Sequence, residues 1–273
     1  MRIIRIDDAR DVRLADYAGV RDPGLLQARG RLIAEGRFVV RRLIASGRVA
    51  FRSLLLNEAA LGGLRDALES LDPAVEIYVA SPEVITGATG FNIHRGCLAL
   101  ADRPASVPVE LILATARLVV VLERVVDPDN IGSVFRNAEA FGVDAVLLSP
   151  GCGDPLYRKA LRTSSGAALM VPFIHAAPWP ATLSRLRAAG FTVVAMTPAG
   201  DATDIGDFIT TGASQPKVAV LLGSEGDGLT PEALAHADAR VRIPISPTLD
   251  SLNIATAAAI ALHRIRDRGA ATG

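Results

Sequence analysis

The part of the chain after residue 117 alternates short apolar runs with helical segments, and this pattern limits the possible folds more than any other feature. The predicted strands are Leu118–Leu122, Ala145–Leu148, Thr192–Met196, Val218–Leu222 and Arg240–Ile243. The predicted helices are Ile131–Phe141, Leu156–Thr163, Ala181–Ala189, Pro231–His236 and Ser251–Arg266. Strands that are apolar almost throughout and alternate with helices are typical of a mainly parallel sheet covered on both faces.

The residues before this region have a separate strand and helix pattern. Predicted strands cover 2–6, 32–35, 49–56, 75–79 and 97–101, and predicted helices cover 36–46 and 58–71. On the first of these helices, Phe38, Val39, Leu43 and Ile44 are expected to face the core. The segment 101–108 has two prolines and is typical of a linker. We predict a smaller α/β domain, a connecting segment and a larger domain at 1–104, 105–116 and 117–273.

The composition argues against several classes of protein. Only 4% of the 273 residues are aromatic, which disfavours a fold that stacks bases on aromatic side chains. The net charge of zero argues against a uniformly basic surface but leaves local basic patches open. Cys97 and Cys152 form no CxxC pair and the histidines are scattered, so we expect neither disulfides nor a metal site, and we expect His94 to be structural or solvated. No signal segment or membrane-spanning run is evident, so we expect a cytoplasmic protein.

A predicted strand, a polar turn and a predicted helix follow one another in 118–142. The turn is Asp-Pro-Asp at 127–129, and Asp129 or Asn130 is expected to cap the helix. Asn130 and Arg136 then fall at or just beyond the carboxyl end of the strand, where open α/β sheets bind ligands. An ordinary amphipathic helix with a solvated arginine is the alternative, and this segment alone does not decide between them.

Two further loops follow predicted strands. The loop 223–228, Gly-Ser-Glu-Gly-Asp-Gly, lets backbone amides approach a ligand closely and matches neither a P-loop nor a Rossmann fingerprint. The loop 243–252 has two prolines, which force an irregular course and leave carbonyls that suit a purine. Asp250 or Ser251 is expected to cap the next helix, which is apolar on nearly every side and so needs burial or a second copy of the chain. Taken singly, each loop also fits an ordinary turn.

Together, the three segments form an ordered pattern. It reads Asn130-x-x-Ser133-x-x-Arg136-Asn137-Ala138, then Gly223-Ser224-Glu225-Gly226-x-Gly228-Leu229, then Ile243-Pro244 with Ser251-Leu252-Asn253. This pattern resembles the motifs of the SPOUT methyltransferases, most closely their TrmH (SpoU) branch, over residues 117–266. The segment 30–44 is similar, more loosely, to the L30e-like substrate-binding domain that many members carry.

The resemblance implies a fold, an activity and a cofactor. The implied fold is α/β, with a C-terminal SPOUT domain that has a mainly parallel sheet and a deep trefoil knot, preceded by a smaller L30e-like α/β domain. Members of the branch methylate ribose 2′-hydroxyls of structured RNA, bind S-adenosylmethionine and work as homodimers whose site is completed across the interface. For this chain the resemblance implies the same reaction without a metal, with ribosomal RNA as the first candidate substrate and transfer RNA as the second.

The family's functional residues carry over by position. The implied catalytic residues are Arg136, Asn130, Glu225, Ser251 and Asn253. The implied cofactor-binding residues are Met196, Thr197, Pro198, Leu222, Gly223, Ser224, Gly228, Ile243, Ile245 and Leu252. The candidate RNA-binding residues are Arg158, Lys159, Arg162, Arg41 and Arg42. The chain departs from the family at Pro247, where the family usually has a glycine.

Arginine is always charged and is therefore a poor base. We expect Arg136 to bind a phosphate of the RNA and to stabilise the developing alkoxide, while phosphate or water takes the proton. Asn130 would orient Arg136 or the ribose, and Glu225 would hold an arginine or the RNA. Two other functions stay open at this point: a non-catalytic RNA-binding or assembly protein that retains the fold, and a methyltransferase of the same fold that acts on a base.

Overall fold

The computed structural model describes residues 2–18, 20, 22–93, 96–211 and 216–270, so His94 lies outside it. The chain divides into two compact units. The first is formed by Met1–Ala105 and Pro155–Leu169, and the second by Ser106–Asp154 and Met170–Gly273. The predicted boundary at residue 104 adjoins this division, whereas 155–169, predicted in the larger domain, group with the first unit.

The helices and strands are as follows. Before residue 105 the strands are β1 (Arg2–Ile6), β2 (Arg31–Glu35), β3 (Phe51–Leu56), β4 (Glu76–Ala80) and β5 (Cys97–Asp102), and the helices are α1 (Ala15–Ala18), α2 (Pro23–Ala28), α3 (Arg37–Ser46), α4 (Glu58–Leu68) and α5 (Pro82–Thr89). After it the strands are β6 (Leu118–Glu123), β7 (Ala145–Leu148), β8 (Phe173–His175), β9 (Thr192–Met196), β10 (Thr203–Asp204), β11 (Val218–Gly223) and β12 (Ala239–Arg242). The later helices are α6 (Val109–Thr115), α7 (Pro128–Ala140), α8 (Arg158–Thr163), α9 (Ala167–Met170), α10 (Ala181–Ala188), α11 (Ile205–Thr211), α12 (Pro231–Ala235) and α13 (Ile254–Ala270).

The first unit is built on a mixed sheet with the order β1-β4-β3-β5-β2. Strand β4 is parallel to β1 and β3, and β5 is antiparallel to β3 and β2. The α/β character and the positions of its strands agree with the predictions to within two residues. The similarity of this unit to an L30e-like domain stays a prediction.

One side chain of the first unit lies on the opposite face from the one predicted. Phe38 was expected in the core, but it is 66% exposed. The buried stripe of α3 consists of Val39, Val40, Leu43 and Ile44. Phe38 lies three and four residues before two arginines and therefore shares their solvent-facing side of the helix. The prediction was wrong because Phe38 is apolar and adjoins the buried stripe in sequence, whereas the helical period places it on the opposite face.

The second unit contains the parallel sheet, in the order β10-β12-β9-β11-β6-β7-β8. Each neighbouring pair of these strands is parallel, which confirms the prediction of a mainly parallel sheet. The central strands are buried apart from some of their end residues, and their side chains pack with those of α6 and α10. Strands β8 and β10 were not predicted, because runs of three and two residues leave no periodic signal.

Two helices begin at residues other than those predicted. Helix α7 begins at Pro128 rather than Ile131, and its cap is Asp127, whose carboxylate accepts from the Asp129 amide at 2.6 Å. A proline suits the first helical position because it has no amide to leave unpaired. Helix α13 begins at Ile254, three residues later than predicted. Its N-cap is Asn253, whose Oδ1 accepts from the Ala255 amide, rather than Asp250 or Ser251.

The trefoil knot that the resemblance implies stays a prediction. Among the described residues, no helix combines the length and the apolar character that crossing a membrane requires.

Candidate active site

The carboxyl ends of three adjacent strands frame a cleft in the second unit. Strands β12, β9 and β11 are neighbours and run in the same direction, so the loops that follow them emerge at one edge of the sheet. These loops, together with the first turns of α13, enclose a cleft of about 360 Å³. This size is within the range of pockets that bind small molecules and cofactors.

The cleft is lined by every residue that was predicted to bind the cofactor. These are Met196, Thr197, Pro198, Leu222, Gly223, Ser224, Gly228, Ile243, Ile245 and Leu252. Three of the predicted catalytic residues, Glu225, Ser251 and Asn253, line it as well. Gly226, Val241, Ile254 and Ala257 also line it and were not in the predicted set. Ile254 and Ala257 lie one helical turn apart on α13, and the helical period could have indicated them once the start of α13 was known.

The loop from Gly223 to Gly228 folds back closely on itself. A Cβ atom at residue 223 would lie 2.3 Å from the carbonyl carbon of Gly228, so only glycine fits there. Gly226 and Gly228 have φ angles of +87° and +68°, which glycine adopts without strain. The Gly228 amide donates to the Ser224 carbonyl at 3.1 Å. The loop therefore presents a compact backbone surface to the cleft.

A network of side-chain hydrogen bonds joins three predicted catalytic residues. The Asn253 amide group donates from Nδ2 to Asn130 Oδ1 and to Glu225 Oε1, both at 2.9 Å. Asn253 Oδ1 accepts from the Ala255 amide at 2.9 Å and so caps α13. Asn130 is buried and Glu225 is exposed. One residue thus fixes the start of α13, the glycine loop and the first turn of α7 relative to one another.

Arg136 lies apart from this network. It is exposed on α7 and does not line the cleft, and it makes no hydrogen bond or ion pair with the residues that the structure describes. Its neighbour Asn137 donates from Nδ2 to the Ala255 carbonyl at 2.8 Å, which joins α7 to α13. The structure therefore brings Asn130, Glu225 and Asn253 together and leaves the guanidinium of Arg136 directed to solvent.

An arginine that the sequence analysis missed lies beside the glycine loop. Arg124 follows β6 directly and has a left-handed backbone, with a φ of +52°. Its guanidinium is 3.8 Å from the carboxylate of Asp227 in the glycine loop, and both side chains are well exposed. Non-glycine residues in this conformation are uncommon and concentrate at functional sites.

Three candidate RNA-binding residues lie on α8, in the first unit. Arg158 forms an ion pair with Glu35, which is only 2% exposed, and its guanidinium lies 4.5 Å from the centre of the Phe91 ring. Arg162 approaches the same carboxylate at 3.4 Å and stays 45% exposed. Lys159 is half-buried. Part of this basic cluster therefore satisfies a buried carboxylate, and contact with RNA stays a prediction.

The other two candidates lie on α3. Arg41 donates to Asp66 at 2.8 Å and to the Gly63 carbonyl at 2.6 Å. Hydrogen bonding to Arg41 lowers the pKa of Asp66 to about 2. Arg42 donates to the Ser165 carbonyl at 3.0 Å. Among the described residues, no three histidine, cysteine, aspartate or glutamate side chains are arranged to hold a metal ion.

The fold and the cleft define an α/β protein that binds a small molecule at the carboxyl edge of a parallel sheet, between adjacent strands and a capped helix. Residues 117–263 match the SpoU rRNA Methylase family. The chain belongs to this family.

Relatives cover nearly the whole chain. An uncharacterized tRNA/rRNA methyltransferase of Mycobacterium tuberculosis is 44% identical over 95% of this chain and 87% of the relative. The 23S rRNA (guanosine(2553)-2′-O)-methyltransferase RlmP of Bacillus subtilis is 26% identical over 96% of this chain and 99% of its own length. The solved structure of the SpoU methyltransferase AviRb from Streptomyces viridochromogenes, in complex with the cofactor AdoMet, has a TM-score of 0.80 at 25% identity and covers 96% of this chain and 100% of that chain.

Proposed function

We propose that this protein transfers a methyl group from S-adenosylmethionine to a ribose 2′-hydroxyl of structured RNA. The observation that carries the proposal is the cleft, because the residues predicted for the cofactor on family resemblance all line it. Relatives support the reaction: RlmP is named as a 2′-O-methyltransferase of 23S rRNA, and AviRb was solved with AdoMet. The intact network of Asn130, Glu225 and Asn253 favours an enzyme over a non-catalytic RNA-binding protein.

The residues of the cleft fit the cofactor. Leu222, Ile243, Ile245 and Leu252 supply apolar surface for a purine ring, and the backbone of the glycine loop supplies polar groups at close range. The irregular segment after β12 contains Pro244 and offers carbonyls outside any strand. When bound, S-adenosylmethionine supplies an electrophilic methyl group on a sulfonium.

The chain's own residues would bind and orient the ribose. Arg136 would hold an RNA phosphate and stabilise the negative charge that develops on the 2′-oxygen, an effect worth a few kcal/mol in comparable sites. Its permanent charge makes it unsuitable as the base, so the proton passes to phosphate or water. Asn130 and Glu225, both held by Asn253, would contact the ribose or the nucleotide beside it.

We also propose that the protein acts as a homodimer. Arg136 is six residues beyond Asn130 on α7, or about 9 Å along the helix axis, and it does not line the cleft of its own chain. Helix α13 leaves Ala259 and Ile260 only half-buried, and a second copy could cover them. In a dimer, Arg136 of one copy would complete the site of the other.

The substrate proposal is ribosomal RNA first and transfer RNA second. RlmP, the named relative, acts on 23S rRNA. The arginines and lysine of α3 and α8 would hold phosphates of the RNA. Both cysteines are free thiols, which suits the cytoplasm.

The test is calorimetric titration with S-adenosylmethionine and its demethylated product, followed by methylation of total RNA from a strain that lacks the gene. We expect about one ligand per chain, and we expect Arg136→Ala to abolish methyl transfer while the cofactor Kd stays within severalfold. Arg185→Ala is the control, because Arg185 is a partly exposed arginine of the same unit that pairs with Glu110 and does not line the cleft. Absence of cofactor binding both with and without RNA would contradict the proposal.

A further inference from the structure

A buried acid outside the predicted site lies next to the glycine loop. Glu123, the last residue of β6, is 1% exposed. Its carboxylate accepts three hydrogen bonds at 2.8 Å: from Trp179 Nε1 and Thr230 Oγ1 to Oε1, and from the Thr230 amide to Oε2. No lysine, arginine or histidine among the described residues forms an ion pair with it. Burying a carboxylate costs free energy that an apolar side chain would avoid, which calls for a specific reason.

Glu123 holds both ends of the glycine loop. Its backbone is the register partner of Gly223, the residue at which the loop begins. Its side chain binds the amide and the hydroxyl of Thr230, two residues after Gly228. Thr230 in turn caps α12, because its Oγ1 accepts from the Ala233 amide at 3.2 Å. The loop is therefore closed at its beginning and its end by a single residue.

The third partner, Trp179, is not part of the loop. It lies just before α10, does not line the cleft and packs its ring against the apolar core of the unit. The same carboxylate thus binds Thr230, two residues after Gly228 in the cleft lining, and also binds Trp179, which is distant in sequence from the glycine loop. Variants of Thr230 and of Trp179 can therefore distinguish a role of Glu123 in cofactor binding from a role in stability.

We propose that Glu123 is a positioning residue that holds the glycine loop in the conformation that binds S-adenosylmethionine. The inference rests on the proposed function. Gly223 and Gly228 line the cleft with the loop folded back on itself, and Glu225 reaches Asn253 from the same loop. Release of Thr230 would let the loop open while the sheet and the apolar walls of the cleft stay in place.

The experiment compares Glu123→Gln, Thr230→Val and Trp179→Phe by titration with S-adenosylmethionine and by thermal unfolding. Glutamine has the shape of glutamate, but in either orientation its NH2 group would face an N–H donor, that of Thr230 or that of Trp179. We expect Glu123→Gln and Thr230→Val each to raise the cofactor Kd by about tenfold. Trp179→Phe lowers stability but leaves the Kd within about twofold, because it removes a bond that does not reach the loop.

The double variant gives a further check. Because Glu123→Gln and Thr230→Val both weaken the pairing of residues 123 and 230, the combined increase in the Kd should be smaller than the product of the two single increases. Increases for Glu123→Gln and for Thr230→Val that are both no larger than that for Trp179→Phe would overturn the proposal and leave Glu123 a stabilising residue only. If Glu123→Gln does not fold, Thr230→Val and Trp179→Phe carry the comparison. Failure of the wild-type protein to bind the cofactor would instead contradict the proposed function.

Discussion

Replacing Asn253 with alanine removes the side chain that joins α7, α13 and the glycine loop. The loss can be divided into three parts. Removing the cap of α13 costs about 1 kcal/mol. Asn130 Oδ1 loses its donor, and because Asn130 is only 8% exposed, an unpaired acceptor there costs about 1–3 kcal/mol. Glu225 is exposed, so water replaces the lost hydrogen bond and the free-energy cost at Glu225 is near zero. We expect the free energy of unfolding to fall by about 2–4 kcal/mol.

A serine at the same position separates these parts. Ser is among the preferred N-cap residues, so Asn253→Ser keeps the cap but loses both donor bonds. We expect Asn253→Ser to be less destabilising than Asn253→Ala by about 1 kcal/mol. Both variants should weaken cofactor binding, because each frees Glu225 and the loop that carries it.

The assay is urea denaturation followed by tryptophan fluorescence. Trp179 is the single tryptophan of the chain and lies in the second unit with Asn253, so its signal reports the unfolding of the relevant unit. A loss below about 0.5 kcal/mol for Asn253→Ala would refute the network as a stabilising feature, since surface substitutions have effects of that size. Equal losses for the serine and alanine variants would refute the assignment of Asn253 as the cap.

Three further predictions follow from the same structure. Gly223→Ala should raise the cofactor Kd by about tenfold or more, because the new Cβ would lie 2.3 Å from the backbone of Gly228. Gly200→Ala should leave the Kd unchanged, because the space around Gly200 is open. Equal effects of the two variants in titration would contradict the steric argument. Phe38→Ser should change the free energy of unfolding by less than about 0.5 kcal/mol, whereas Leu43→Ala should lower it by about 2–5 kcal/mol, because Leu43 is fully buried on the same helix. Urea denaturation followed by circular dichroism tests this, since Trp179 lies in the other unit, and a larger loss for Phe38→Ser would show that Phe38 is in the core. Burial raises the pKa of Tyr17, so its contribution to stability is complete below the unfolded value of about 10 and declines above it. The free energy of unfolding should therefore fall more steeply with pH there than in Tyr17→Phe, and parallel curves would contradict this.

Much of the cleft could be predicted before its shape was known. Met196, Leu222 and Ile243 each follow or end a predicted strand, and parallel strands place their carboxyl ends at one edge of a sheet. The other predicted residues of the cleft came from the resemblance of the three ordered motifs to the family. These inferences depend on period, spacing and residue type, all of which are local in the chain.

By itself, the sequence determined the alternation of strands and helices and the parallel second unit, and through family resemblance it indicated most of the residues that line the cleft. The tertiary structure decided which strands are neighbours, that Asn253 rather than Ser251 caps α13, and that Phe38 faces solvent. It alone revealed Glu123 as the residue that closes the glycine loop, because Glu123 finds its partners 56 and 107 residues away along the chain. Local periodicity carries no information about such pairs, since hydrogen bonds between distant segments form only once the sheet has set their register.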